Sequence, residues 1–313
     1  MTEEVIAEVI AENNRINDTE MGRSETVHDS NIVFGWKQGF YDIRWMLVRS
    51  FCKFRESDYY VPDSLAPEDA RFFYGNRLLH LQEWLEEDAQ QNLFTEAEQD
   101  FLIRRYQDLE AQAPLYYDYA DGWNQLFEWA ATVIMLTMLT LNFVVAGIFS
   151  GEFSYKADSV FYASCHGRGK AVAAKLEAGL LFVTLIYFAM MLFYSGIVLA
   201  VFGTDGAGLP IQMSKVGWKS FYIITNWQEY LLILFCGYIG TLFILSLTIL
   251  VSARTKSSVI AVTIPFILLF MPSFIGRSSL EMVDKILGIL PDRLLALLLI
   301  PMIYQVYRRL SAG

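Results

Sequence analysis

Apolar residues fall into two regimes along this chain. Up to about residue 120 they recur at helical spacing among polar ones, and beyond it they merge into long runs. In the first regime Val5, Ile6, Val9 and Ile10 mark a helix that gives way at Asn13, Asn14 and Asn17. An aromatic-rich run over 31–54, with Phe34, Trp36, Phe40, Tyr41, Trp45 and Phe51, predicts a second helix whose aromatics belong to a core. A loop with two prolines covers 57–70, where Pro67, Glu68 and Asp69 suit a helical first turn. A third helix over 71–88 places Leu78, Leu79, Leu81 and Leu85 on its apolar face, and Thr95 with Glu98 forms a capping-box pattern ahead of Phe101, Leu102 and Ile103.

The second regime predicts membrane spans over 126–149, 176–202, 230–252 and 259–275. At about 1.5 Å per residue the first three exceed a hydrocarbon layer of roughly 30 Å. Tyr116, Tyr117, Tyr119 and Trp123 precede the first span as an interfacial aromatic belt would. Pro265 and Pro272 predict a bent or broken fourth span. A last run over 286–307 contains Asp292 and Arg293 and reads either as a short interfacial helix or as a poor span. The predicted class is all-α, a helical polytopic membrane protein with a soluble helical domain over 1–122 and a transmembrane domain over 123–313.

Composition sharpens this division. Residues 1–120 carry 24 Asp and Glu against 11 Lys and Arg, whereas the remainder carries 10 against 13. The acidity of the whole, a net charge of −10, therefore belongs to the water-facing part and disfavours nucleic acid as a partner. Cys52, Cys165 and Cys236 lie in three different contexts, and with His28, His80 and His166 they form no spacing typical of a metal site or a disulfide framework. No phosphate-binding GxxxxGK[ST] stretch occurs, and no cofactor is implied. The first twenty residues are charged and amphipathic and lack the features of a secretory signal.

Orientation follows from the short loops. Lys156, Arg168, Lys170 and Lys175 in 150–175, with Arg254 and Lys256 in 253–258, outnumber Lys215 and Lys219 in 203–229, with Arg277 and Lys285 beyond the fourth span. The positive-inside bias thus puts 150–175 in the cytoplasm and the acidic domain outside. Such a topology leads us to expect one more span ahead of residue 1. Within 150–175, Phe153, Ala157, Val160 and Phe161 fall near one helical face opposite Glu152, Lys156 and Ser159, which predicts an interfacial helix over 152–164. Gly167 and Gly169 then permit a tight turn carrying Arg168 and Lys170. These charges either hold the loop inside and reach lipid head groups, or meet a partner's carboxylates. Glu128, Glu177 and Glu229 lie near span ends, so neither a proton pathway nor a catalytic constellation is indicated.

The run GIFSGEFSYKADSVFYASCHGRGKAVAAK resembles a motif of ABC-type exporter permeases of the second type, through Phe149, Ser150, Glu152, Phe153, Gly167, Arg168 and Lys175. PLYYDYADGW, PIQ at 210–212, SARTKSS at 252–258 and LPDRLL at 290–295 extend the similarity to nearly the whole chain. The resemblance implies a bacterial plasma-membrane permease that is not itself an enzyme. It works as a homo- or heterodimer in the lipid bilayer, and a separate ABC ATP-binding subunit docks on cytoplasmic helices. Glu152, Phe153, Lys156, Gly167, Arg168, Lys170 and Lys175 would form the coupling segment. Family members carry a further span before the acidic domain and another near the end. The competing expectations are a membrane-anchored sensor for extracellular peptides and a truncated, inactive permease.

Overall fold

Thr2 and Thr95 begin helices by accepting hydrogen bonds from the amides of Val5 and Glu98, and Glu98 closes its box by accepting from the Thr95 amide at 2.9 Å. The computed structural model describes residues 1–54, 56–89, 95–156, 169–214 and 217–275, and among these every regular element is helical. The helices are α1 (Glu3–Asn17), α2 (Val27–Trp36), α3 (Tyr41–Phe51), α4 (Gly75–Ala89), α5 (Glu96–Glu110), α6 (Asp121–Val145), α7 (Gly147–Ser154), α8 (Lys170–Phe202), α9 (Asn226–Thr255) and α10 (Ser258–Ile275). They fall into two compact units, Met1–Gln125 with Phe202–Glu229, and Leu126–Val201 with Tyr230–Gly313.

This division departs from the one expected at residues 122/123, because the loop between α8 and α9 folds as part of the first unit. Its Met213 and Trp218 join Ile6 and Ile10 of α1, Met46 and Leu47 of α3, and Phe73 in a single core. Trp218 is 1% exposed, its ring 4.5 Å from that of Phe73 and 3.9 Å beneath the guanidinium of Arg77. Truncating a side chain buried to this degree costs about 3–5 kcal/mol, enough to hold the loop down. The loop is built for that position. A Cβ on Gly217 would stand 2.1 Å from Ile211 O, and buried Gln212 donates to Ser220 O and Tyr222 O at 3.0 and 2.7 Å. Lys219, expected as a loop charge, instead donates to Lys53 O and Phe54 O. Lys215 lies outside the described residues.

The same stretch ties together the ends of three long helices. Tyr119 Oη donates to Phe202 O at 3.0 Å, Trp123 Nε1 to Thr204 O at 3.1 Å, and Asn226 Nδ2 to Gly206 O at 2.9 Å. Trp227 meets Trp123 edge to face at 6.2 Å.

Other details of the first unit also differ from the sequence pattern. The run 31–54 is two helices, separated by a 3₁₀ turn at Lys37–Phe40 that carries Lys37 to Asn17 and Asp63. Phe34 and Trp36 are 46% and 47% exposed, not core, and Leu79 and Phe101 are exposed as well. Pro67–Phe72 forms a 3₁₀ turn, and α4 starts only at Gly75.

Beneath the α2–α3 turn a single carboxylate serves several donors. Asp63 Oδ1 accepts from Asn17 and Asn13 at 2.8 and 2.9 Å, from Arg44 at 3.0 Å and from Lys37 at 3.3 Å. Burial alone would push this carboxyl up, but the hydrogen bonds from Asn17, Asn13 and Arg44 and the Arg44 charge outweigh it and hold its pKa below the ordinary carboxylate value.

Asp121–Phe153, Lys170–Phe202 and Asn226–Thr255 are long and apolar enough to cross a membrane. α8 begins at Lys170, earlier than the predicted 176, because Ala171, Ala173 and Ala174 are strong helix formers. α10 is one helix through both Pro265 and Pro272, so of the bend or break expected there the break does not occur. The run 286–307 lies outside the described residues. Gly237 lets α9 come close to its neighbours, since a Cβ there would stand 2.5 Å from Tyr187 Oη and 2.7 Å from Ile134 Cδ1.

A lowered pKa in the folded state means that Asp63 contributes stability above its unfolded value, and that this contribution is lost as the pH falls through the folded value. We therefore expect Asp63→Asn to destabilise the first unit by about 3 kcal/mol at pH 7. The gap to wild type should close as the pH falls below about 4 in chemical denaturation followed by tryptophan fluorescence. A gap that stayed constant between pH 7 and pH 2 would refute this role.

Candidate functional site

The far end of the apolar helices, where α6 gives way to α7, gathers most of the described candidates. α7 continues almost directly from α6, with Ala146 between them, and ends at Ser154. Tyr155 closes it by donating from its amide to Gly151 O, and Lys156 then takes a left-handed backbone with φ +52°. A residue in this conformation just past the cap is a common way for a helix to stop. Glu152 and Phe153 therefore belong to the last turn of α7 and do not open the interfacial helix expected over 152–164. Residues 157–168, and with them Gly167 and Arg168, lie outside the described residues.

α8, α9 and the turn after α9 each grip α7. From α8, Lys175 forms an ion pair with Glu152 and donates to Ile148 O at 3.2 Å. The two side chains are 26% and 12% exposed, so the pair is shielded well beyond an ordinary surface bridge. From the turn after α9, Lys256 stands 4.7 Å from the centre of the Phe153 ring, a cation–π contact made possible by a φ of +56° at Lys256. From α9 itself, the hydroxyl of Ser252 reaches the α6–α7 joint. It donates to Ala146 O at 2.7 Å and accepts from the Ser150 amide at 3.1 Å.

One turn further along α6 a second polar contact continues this seam. Asn142 Nδ2 donates to Val262 O of α10 at 3.3 Å, and its Oδ1 accepts from Thr248 of α9. Asn142, Ser150, Thr248 and Ser252 are all buried, with exposures of 0–3%. In an apolar bundle such contacts contribute about 0.6–2 kcal/mol each and fix which helix faces meet.

Lys156 and Lys170 are exposed at the two described edges of this end, the first in the turn after α7 and the second at the start of α8. Between α6 and α8 lies an apolar cavity of about 330 Å³ lined by Val145, Ile148, Lys175, Gly179 and Phe182 among others. Among the described residues no group of three or more His, Cys, Asp or Glu could hold a metal ion. This end holds a short helix against three others and presents exposed Lys156 and Lys170.

The structure thus brings Glu152, Phe153 and Lys175 into one cluster and leaves Lys156 and Lys170 at its edges. Sequence reading missed Asn142 and Thr248, and took Ser252 only as the start of the SARTKSS run. The available signal was small polar residues inside long apolar helices, a pattern associated with interhelical hydrogen bonding.

If the Glu152–Lys175 pair holds α7 to α8, Glu152→Lys and Lys175→Glu should each destabilise the protein in mixed micelles by about 2–4 kcal/mol. The double exchange should recover most of that loss, and additive losses in the double variant would rule the pairing out. Comparison of the chain with protein-family models, with curated proteins and with solved structures returns no match.

Proposed function

We propose that this chain is the membrane permease subunit of an ATP-driven ABC exporter in a bacterial plasma membrane. In this reading α7 and the basic stretch after it receive the movement of a separate ATP-binding subunit. The observation that carries it is the threefold grip on α7, by Lys175 on Glu152, Lys256 over Phe153, and Ser252 at the α6–α7 joint. A short helix held in this way passes a push at its exposed end to α6, α8 and α9 together.

The first unit supports the same topology. The chain leaves that unit along α6, returns to it at Phe202 and leaves again along α9. Exposed Tyr116, Tyr119, Tyr222 and Trp227 flank these points, as residues at a membrane–water interface do. With 150–175 and 253–258 on the basic, cytoplasmic side, the acidic unit faces outward. ATP hydrolysis belongs to the partner, and a second permease copy or a related one completes the translocation path. The ATPase cycle would drive export by favouring one of two helix arrangements through α7, and cargo must bind those two arrangements with different affinity.

The test is co-purification from cells expressing the chain together with an ABC ATP-binding subunit encoded beside it. Lys156→Glu with Lys170→Glu, which alter only exposed cations, should reduce recovery of the ATPase at least about tenfold while leaving the permease folded. Undiminished recovery would remove the docking assignment, and failure of any ATPase to associate with wild type would remove the permease reading.

A further inference from the structure

An uninterrupted α-helix would join Ser150 N–H directly to Ala146 C=O, four residues back. Here the Ser252 hydroxyl stands between this pair, donating to Ala146 O and accepting from the Ser150 amide. Ser150 adds its own hydroxyl to the same carbonyl at 2.8 Å. The insertion coincides with Ala146, the one residue between α6 and α7, whose own backbone stays in the right-handed helical region at φ −55° and ψ −29°. A side chain entering the backbone ladder is one of the few physical causes of a sharp helix bend.

We infer that Ser252 is a positioning residue that acts as the pivot of α7, its hydroxyl setting the angle at which α7 leaves α6. Two features of the surroundings fit a pivot. Thr248, one turn earlier on α9, bonds Asn142 one turn earlier on α6 and so anchors the helices on the near side of the joint. On the far side, the cavity against Ile148 and Phe182 leaves α7 space toward α8. There Gly179 is the close neighbour, since a Cβ on it would stand 3.0 Å from Ile148 Cδ1. The joint is thus fixed on one side and has room on the other, and one hydroxyl spans it.

This inference deepens the proposed coupling role of α7, but its test needs no ATPase, so the two can fail separately. In a cysteine-free background, spin labels are placed at Leu136 on α6 and Tyr155 at the end of α7. Both side chains are exposed, and none of the side-chain contacts described involves them. Ser252→Ala should shift or broaden the distance distribution by several ångströms, and Ser252→Thr, which keeps the hydroxyl, should leave it as in wild type. Amide exchange at Ser150 should accelerate about tenfold in Ser252→Ala and remain slow in Ser252→Thr. If Ser252→Ala does not fold, Ser252→Val, which has the shape of threonine without its hydroxyl, takes its place in both measurements. An unchanged distance together with unchanged Ser150 exchange in the alanine or valine variant would overturn the pivot.

Discussion

A hydroxyl or amide inside an apolar helix bundle has no water to turn to, and this constraint determines how α6, α7, α9 and α10 meet. Asn142 finds Thr248 and a carbonyl of α10, and Ser252 finds a carbonyl and an amide at the α6–α7 joint. Sliding α6 or α9 by one residue would leave several of these groups unpaired at once. The register of α6, α9 and α10 follows from satisfying the seam.

A different constraint shapes the acidic unit. Its net charge argues for contact with water, yet its core is incomplete without Met213 and Trp218, which come from the connection between two apolar helices. The connection is therefore a structural member that joins the ends of α6, α8 and α9 through Tyr119, Trp123 and Asn226.

The long apolar runs, the Thr95–Glu98 box and the abrupt change near residue 120 were legible because each depends on residues close in sequence. The packing of 202–229 was not legible. Its apolar residues follow no helical or strand period, and the rings that receive Trp218 lie more than a hundred positions away. The cluster around α7 was half legible. Glu152 and Lys175 stood out as charges beside apolar runs, but their pairing crosses a long intervening stretch. The role of Ser252 depends on one hydroxyl reaching the backbone of another helix. Phe34 and Trp36 misled because helical spacing cannot distinguish an apolar face turned to a core from one turned outward.

The central claim, that the end of α7 is where an ATP-binding subunit delivers force, is tested most directly by photo-crosslinking. A photoreactive amino acid at Lys156, exposed just past α7, is activated in native membranes containing both subunits. A covalent adduct with the combined mass of permease and ATPase, lost when the label sits instead at Val27 on exposed α2, is the expected result. Crosslinking only to lipid at Lys156, or to the ATPase from Val27, would contradict it.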